Sequence, residues 1–329
     1  MTDHFQPHLS RRRVLVGGTA AVVAGLIDSI AEHALAKASM ASAQAPAFYR
    51  FKIGSMEATV ASDGPLPVGD PSTLFHGASK EQLSKLLTDH FLNPEKVVLE
   101  QNVVVLNVAD RLVLFDTGLG SAMPLGPTAG RLLSNLKAAG IDSKDIDDIV
   151  LTHAHPDHCW CLMTPDGTRN FPNAQIRMTQ ADFDFWTDEA KLGNDAIKAF
   201  VDGTRKQLIP NRDRMIFIKD GDEVVPGVQA VATPGHTVGH TSYMVSSQGQ
   251  TFAILGDVAH HHVLSLDNPR IEFGYDTDPK QGVSTRIRTF DMLSANRIPF
   301  LAYHLPWPGV GHVVKQGDGY RYVPMPMVL

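Results

Sequence analysis

Residues 152–158 limit what this chain can form more than any other segment, because they crowd ligand-type side chains into a short stretch. Four such side chains fall within six residues: His153, His155, Asp157 and His158. His153 and His155 are two positions apart, so at the end of a strand they point to the same side. Pro156 then forces a turn, which can bring Asp157 and His158 towards a second position nearby. Because buried polar groups at this density need many partners, we interpret the segment as part of a metal site.

Strand and helix patterns alternate along the rest of the chain. Strands are predicted at residues 49–53, 56–61, 97–107, 111–115 and 147–151, and in a second strand-rich half at 228–233, 241–246, 251–255 and 300–303. Helices are predicted at residues 80–91, 128–139, 180–189, 195–207 and 284–295. Two strand-rich halves with interleaved helices indicate an α/β fold, a four-layer αββα sandwich with helices outside two packed sheets. One domain at residues 47–329 is the simplest division.

The N-terminal segment has the parts of an export signal. Three arginines, Arg11 to Arg13, precede an apolar run at residues 14–27, which is too short to span a bilayer because that needs about 20 apolar residues. Paired arginines are typical of a twin-arginine signal. We therefore expect residues 1–43 to be a signal peptide, and the mature protein to be periplasmic or secreted, without a membrane anchor. The alternative is a disordered basic tail.

Charge excludes one class of partner. Lys plus Arg is 29 and Asp plus Glu is 35, so the formal charge is −6, and no basic stripe lies outside the N-terminus. Nucleic-acid binders neutralise phosphates with clustered Lys and Arg. We therefore expect a small-molecule substrate and no nucleic acid.

The two cysteines, Cys159 and Cys161, directly follow the His-rich segment. A disulfide between them would close a very small, strained loop, and a thiolate metal site usually has C-x₂₋₄-C spacing. We interpret both as packing residues beside the site.

The pattern H-x-H-x-D-H resembles the metallo-β-lactamase superfamily, and the remaining positions of its motif set occur in the same order. His236 matches in the turn Thr233–His240, Asp257 matches after the strand that ends Ile254-Leu255-Gly256, and His304 matches after Ala302-Tyr303. The resemblance implies the metallo-β-lactamase fold and two divalent metal ions, for which His and carboxylate ligands suit zinc. It implies that one metal is held by His153, His155 and His236, the other by Asp157, His158 and His304, and that Asp257 bridges them.

Within the superfamily, the tail at residues 304–312 and 319–324 is similar to the methyl parathion hydrolase branch, a neighbour of lactonases and arylesterases. That branch includes exported enzymes, and its members typically form homodimers, so the resemblance implies a homodimer here. The departure is Cys159-Trp160-Cys161, where relatives usually carry small residues, and this bulk affects the expected shape of the pocket floor.

The expected function is hydrolysis of lactones or aryl esters by an exported dinuclear enzyme, with Asp257 at the catalytic centre. Two metals about 3.5–4 Å apart lower the pKa of bound water, so a metal-bridging hydroxide is the expected nucleophile. Phosphotriester hydrolysis is the alternative, because the similar branch performs it with the same ligands. The alternative of another class is a non-catalytic exported protein with structural metals.

Further residues have expected roles at the site. Asp116 and Asp63 either orient ligand imidazoles or cap turns, and His240 and His312 support the structure without binding metal. Aromatic residues of the helical segment that follows the first motif are expected to form pocket walls, with core packing as the alternative; the two favoured are Trp186 and Phe200.

His260 stands three positions after Asp257. Acyl-homoserine lactonases of the superfamily carry a hydrogen-bonding Tyr at the equivalent spacing. We therefore expect His260 to be catalytic and to donate a proton to the ring-opening alkoxide, a poor leaving group. The alternative is a histidine in a polar surface turn, together with His261 and His262.

Overall fold

Eighteen strands and six α-helices are formed by residues 45–122 and 126–328, the part of the chain that the computed structural model describes. The strands are β1 (Phe48–Ile53), β2 (Met56–Ser62), β3 (Leu66–Gly69), β4 (Phe75–His76), β5 (Val97–Leu99), β6 (Asn102–Val108), β7 (Arg111–Phe115), β8 (Asp148–Val150), β9 (Gln175–Thr179), β10 (Met215–Ile218), β11 (Glu223–Val225), β12 (Val228–Ala232), β13 (Thr241–Ser247), β14 (Gln250–Ile254), β15 (Glu272–Phe273), β16 (Phe300–Leu301), β17 (Val310–Gln316) and β18 (Gly319–Pro324). The helices are α1 (Lys80–Asp89), α2 (Leu132–Ala138), α3 (Pro156–Cys159), α4 (Gln180–Thr187), α5 (Lys198–Leu208) and α6 (Pro279–Asn296).

The predicted signal peptide at residues 1–43 lies outside the described residues. None of the helices in the described ranges is both long enough and apolar enough to cross a membrane.

Two seven-stranded sheets form the centre of the fold. The first has the order β1-β2-β6-β7-β8-β9-β10, and the second has the order β11-β12-β13-β14-β16-β17-β18. Strands β7 to β10 are parallel to one another, whereas the second sheet is antiparallel except where β14 pairs with β16. Two small two-stranded sheets, β3 with β5 and β4 with β15, complete the strands of the described residues.

The core has three apolar layers, which confirms the four-layer αββα sandwich. Along β6, Val104 and Leu106 pack between the two sheets, while Val103 and Val105 face the outer layer with α2 and α5. Both faces of this strand are buried because its side chains alternate across the sheet. On the far side, Phe290 of α6 packs against the second sheet.

Three predicted elements differ most from the observed ones. The predicted strand at residues 97–107 is two strands, because the chain leaves one sheet at Glu100 and enters another. The predicted helix at residues 128–139 begins only at Leu132, because the amides of Gly130 and Leu132 bind the Asp63 carboxylate. Helix α6 begins five residues earlier than predicted, at Pro279, since Asp278 caps it through the amide of Gln281.

Candidate metal centre

Four loops bring the predicted ligands together at one edge of the sandwich. The first loop follows β8 and carries His153, and its short helix α3 carries Asp157 and His158, with His155 as the cap residue. The other three loops follow β12, β14 and β16 and carry His236, Asp257 and His304 respectively. All seven side chains are buried. The structure therefore places residues from distant parts of the sequence in one cluster.

The donor atoms form two sets of three around one carboxylate. In each set the ligand atoms lie within 4.8 Å of one another; the sets are His153, His155 and His236, and Asp157, His158 and His304. Asp257 lies between them, because its Oδ2 is 3.3 Å from Nε2 of His236 and 3.3 Å from Nε2 of His158. This arrangement fits two cations that share Asp257.

Unpartnered buried atoms test whether the cluster fits metal ions. Nε2 of His153, Nε2 of His158 and Oδ1 of Asp257 are buried and have no hydrogen-bond partner among the described residues. Nδ1 of His155 lies 2.8 Å from Nε2 of His236, so two ring nitrogens converge on one point. Buried polar atoms normally have partners, and imidazole and carboxylate donors suit zinc and its neighbours. The residues present therefore fit two divalent metal ions.

The imidazole nitrogens that face away from the centre are held by neighbouring groups. His158 Nδ1 donates to Asp116 at 2.9 Å, and His236 Nδ1 donates to Asp276 at 2.7 Å. His304 Nδ1 donates to the carbonyl of Glu100 at 2.7 Å. Such contacts fix ring orientation and tautomer in metal sites. Asp116 was expected here, whereas Asp276 and the Glu100 carbonyl were not predicted from the sequence.

Other polar residues hold the loops. Asp63 contacts no ligand histidine, and its carboxylate accepts backbone amides of Leu119 and Leu132, both at 2.8 Å, as a turn-capping residue. His240 Nε2 accepts the backbone amide of Asp257 at 2.9 Å, which matches the expected supporting role. His312 lies in β17 and is absent from the ligand groups of the described residues.

Asp182, which was not singled out in the sequence, joins two of the ligand loops. Its carboxylate accepts the amide of Ala154 at 2.8 Å and the amide of Gly239 at 2.9 Å. The first amide lies between His153 and His155, and the second lies in the turn that carries His236. One buried carboxylate therefore fixes the spacing between the two loops that supply a single set of donors.

Cys159 and Cys161 are free, buried and part of the apolar core beside the centre, as expected. The intervening Trp160 packs against Gly203 of α5, where an added Cβ would lie 2.1 Å from the indole ring. Bulk in the first motif is thus accommodated by a glycine in the facing helix.

Protonation of the cluster differs between the histidines. Burial lowers the pKa of His153 and of His155 well below its ordinary value. Burial acts in the same direction on His236, but hydrogen bonds to Asp257 and Asp276 raise its pKa to about 9. Burial is likewise outweighed at His158, where Asp257, Asp157 and Asp116 raise the pKa well above its ordinary value. A metal ligand must be deprotonated, so metal binding displaces protons from the imidazole rings of His236 and His158.

Zinc binding to the metal-free protein is therefore expected to release protons and to strengthen as the pH rises from about 6 to about 9. The sign follows from His236, whose raised pKa of about 9 keeps a proton on the ring below that pH. Chelator competition at several pH values, with calorimetry in two buffers of different ionisation enthalpy, measures both effects. Zinc affinity that stays constant above pH 7 would contradict the protonated state of these rings.

A cavity opens directly above the donor atoms. Its empty space, counted together with the open mouth, is about 380 Å³. Its walls are largely apolar and come from separate elements: Leu66, Val68, Leu99, Phe200, Phe273 and Tyr275. Phe200 was predicted as a wall, and the other five were not. The cavity gives a small molecule access to the metal centre.

The structure corrects the expectation for Trp186. Its side chain is only 2% exposed, belongs to the apolar core and is absent from the cavity lining. The indole packs edge-to-face on His155, with ring centroids 4.8 Å apart. Trp186 therefore supports the imidazole of His155 from the core side. A side chain buried in the core cannot also line the cavity.

Replacing Phe200 with alanine is expected to raise KM for substrates with a bulky aromatic or long acyl group several-fold, with little change for small aliphatic esters. Trp186→Ala is the matched comparison: it should affect both substrate classes equally and destabilise the fold by about 3–5 kcal/mol, because it leaves a core cavity. Steady-state kinetics and thermal unfolding distinguish the two variants. Equal effects of Phe200→Ala on both substrate classes would show that Phe200 is packing.

His260 lies at the cavity floor. Its Nε2 is 3.4 Å from Oδ2 of Asp257, and its ring stacks on Phe273 with a centroid distance of 3.6 Å. Both ring nitrogens are buried and lack partners among the described residues. His261 differs, because its Nδ1 accepts the amides of Val263 and Leu264 within its own turn. His260 is thus not a surface residue, and it faces the same space as the ligands.

Comparison with known proteins agrees with this geometry. A family model described as "Metallo-beta-lactamase superfamily" matches residues 97–294. An N-acyl homoserine lactonase from Bacillus sp is 25% identical over 206 residues, which are 62% of this chain and 71% of that protein. The structure of AidC, a dizinc quorum-quenching lactonase in complex with the product N-hexanoyl-L-homoserine, has a TM-score of 0.81 at 25% identity, covering 86% of this chain and 98% of that chain.

A second solved structure, that of hydrolase AbOPH in the beta-lactamase superfamily, has a TM-score of 0.80 at 31% identity. The match covers 86% of this chain and 99% of that chain. The fold therefore agrees with both solved structures over most of each chain. The chain therefore belongs to the metallo-beta-lactamase superfamily and is a metal-dependent hydrolase.

Proposed function

We propose that this chain is a dizinc hydrolase that opens lactones or cleaves aryl esters. The observation that carries the proposal is a bridged two-metal donor set at the floor of an apolar-walled cavity, with His260 beside Asp257. The lactonases among the similar proteins support it. An acylated lactone presents one carbonyl for the metal centre and an apolar chain for the walls, which suits such a cavity.

The residues of the chain have distinct parts in the proposed reaction. Two divalent ions held by the two donor sets would polarise the substrate carbonyl and activate water as the nucleophile. Asp257 holds the two donor sets together, and Asp116 and Asp276 keep His158 and His236 oriented. The apolar walls limit water around the reacting carbonyl. The ring N–H of His260 donates a hydrogen bond to the leaving oxygen and stabilises the negative charge that develops there.

Phosphotriester hydrolysis is the second candidate, because the tail at residues 304–312 is similar to the methyl parathion hydrolase branch. A non-catalytic metal protein is the third. Structural zinc sites are usually closed, with four protein ligands around one ion, whereas the donors here face an open cavity. That opening favours an enzyme over a structural site.

A substrate panel separates the candidates. Purified protein is assayed with aryl lactones, acyl-homoserine lactones, aryl esters and paraoxon-type triesters, ranked by kcat/KM. We expect lactones or esters to lead the ranking. Triesters at the top would replace the proposal with the second candidate, and no turnover of any class by metal-loaded protein would favour the third.

Zinc is the proposed metal, and elemental analysis of purified protein measures it. We expect two ions per chain, because the donor set has two groups of three ligands. Fewer than about one ion per chain after careful purification would contradict a dinuclear centre.

Export and assembly complete the proposal. We infer that residues 1–43 direct the protein to the periplasm or the medium, on the basis of the paired arginines and apolar run. We also infer a homodimer, on the basis of the similarity to the methyl parathion hydrolase branch. Cell fractionation of a variant with Arg11, Arg12 and Arg13 replaced by lysine tests the first inference, and light scattering tests the second.

A further inference from the structure

One face of helix α6 packs against the turn that carries His236. Thr285 Oγ1 donates to the carbonyl of Pro234 at 2.7 Å. Gly282 lies so close to Gly235 that a Cβ on Gly235 would be 2.3 Å from the Gly282 amide nitrogen. Residues 282, 285 and 286 share this face because they are three and four positions apart. The face therefore fixes the backbone from which His236 projects.

Arg286 extends the same face towards a second ligand loop. Its side chain is buried, and its Nε donates to the carbonyl of Val258 at 3.0 Å. Its Nη1 donates to the carbonyls of Pro269 at 3.1 Å and Ile271 at 2.6 Å. Val258 directly follows Asp257, so this guanidinium holds the loop of the bridging carboxylate. A buried charge is costly unless it is paired and hydrogen-bonded, which these carbonyls partly provide.

The remaining nitrogen of Arg286 faces the residue that orients His236. Nη2 lies 4.0 Å from Oδ2 of Asp276, and Oδ1 of Asp276 accepts the ring N–H of His236 at 2.7 Å. Oδ2 of Asp276 has no hydrogen-bond partner among the described residues. His236 is the main group that stabilises this buried carboxylate, and Arg286 adds a further positive charge on the side of Oδ2. Arg286 therefore bonds the backbone next to Asp257 and also faces the carboxylate that orients His236.

We propose that Arg286 is a positioning residue that sets His236 and Asp257 at the spacing needed to bind metal. The two contacts use different arms of a planar fork, and a lysine ammonium on a single stem cannot make both. The inference rests on the metal centre and not on the choice of substrate. A residue that only fastens surface loops would affect stability and leave metal affinity unchanged.

Arg286→Met is expected to lower zinc affinity by about 10- to 100-fold, the usual cost of losing a group that supports a metal ligand. Arg214→Met is the matched control, because Arg214 also bonds backbone carbonyls, those of Phe171 and Ala174, but lies outside the ligand groups. Zinc affinity comes from chelator competition on full-length protein, and thermal unfolding of the metal-free forms measures stability. The control should lose stability and keep zinc affinity within twofold. Arg286→Met with affinity within about threefold of the parent would overturn the proposal.

Arg286→Lys keeps the test decisive if the methionine variant does not fold. It retains the charge and should fold, yet its zinc affinity should fall about tenfold because one arm is lost. Parent-like affinity would overturn the proposal.

Combining Arg286→Lys with Asp276→Asn tests whether Arg286 acts on His236 through Asp276. Residues in contact couple, so the double variant should lose less zinc affinity than the two single losses added together. Additive losses would overturn that route.

Discussion

Replacing Asp257 with alanine is expected to lower kcat by at least about 10³-fold, which corresponds to about 4 kcal/mol of transition-state stabilisation. The carboxylate lies between both donor sets, with Oδ2 at 3.1 Å from Nε2 of His304 and 3.3 Å from Nε2 of His236. Without it, the two proposed metal ions would lose their shared ligand, and the activation of water that they would supply would be lost as well. Steady-state kinetics and zinc content, measured on the same preparation, test both consequences.

Asp148→Ala is the matched control for this variant. Asp148 is equally buried and is paired with Arg111 and Arg177, but it lies in β8 and belongs to no ligand group of the described residues. Its loss should destabilise the fold by about 1.5–3 kcal/mol, because the two arginines lose a charged hydrogen-bond partner but remain partly exposed to water, while kcat of the folded fraction stays unchanged. If Asp257→Ala retained more than about a tenth of kcat, the bridging role would be wrong.

The central motif could be predicted from the sequence because its chemistry is local. Its four ligand-type side chains lie within six residues: His153, His155, Asp157 and His158. The first two follow a strand and the last two follow Pro156, which explains why the two pairs belong to different donor sets. His236, Asp257 and His304 are far apart in the chain, and only the ordered family pattern connected them. The structure explains that order physically, because each follows a strand of the second sheet that ends at the same edge.

The groups that orient the ligand histidines could not be predicted from the sequence in the same way. Asp276 lies in the segment Gly274-Tyr275-Asp276-Thr277-Asp278-Pro279, which is typical of a turn leading into a helix. The Glu100 carbonyl orients His304 through the backbone, and a backbone acceptor is independent of residue type. Contacts of this kind depend on tertiary proximity, which residue spacing does not encode.

Most residues that line the cavity could not be predicted from the sequence either. Leu66 and Leu99 lie in the small sheet formed by β3 and β5, and apolar strand residues look the same whether they face a core or a cavity. The prediction for Trp186 was wrong for the same reason, since aromatic residues dominate both environments. Phe200 and Trp186 are near each other, with ring centroids 6.5 Å apart, and only the fold decides which faces outward.

His260→Leu is expected to lower kcat for lactones by about 100-fold, within the usual range for losing one hydrogen-bond donor that stabilises developing charge, while sparing or raising turnover of aryl phosphotriesters. Burial lowers the pKa of His260 to about 3, so the ring is neutral at pH 7 and contributes as an N–H donor. A ring-opening alkoxide is a poor leaving group and gains from that donor. An aryl phosphotriester releases a phenolate, which departs unaided, and a bulky triester meets less obstruction when leucine replaces the stacked imidazole.

The neighbouring His262→Leu is the control for this last prediction, because His262 is half-buried, stacks on His261 and does not line the cavity above the ligands. It should leave both activities unchanged.

Zinc content must also stay at the parent value in His260→Leu, since the donor atoms of His260, His236 and Asp257 lie close enough to form a third donor group. Loss of metal would show that His260 is a ligand. Lactone turnover within twofold of the parent, a difference of only about 0.4 kcal/mol, would show that His260 has no part in the reaction. The preference for lactones over phosphotriesters would then depend on the relatives alone.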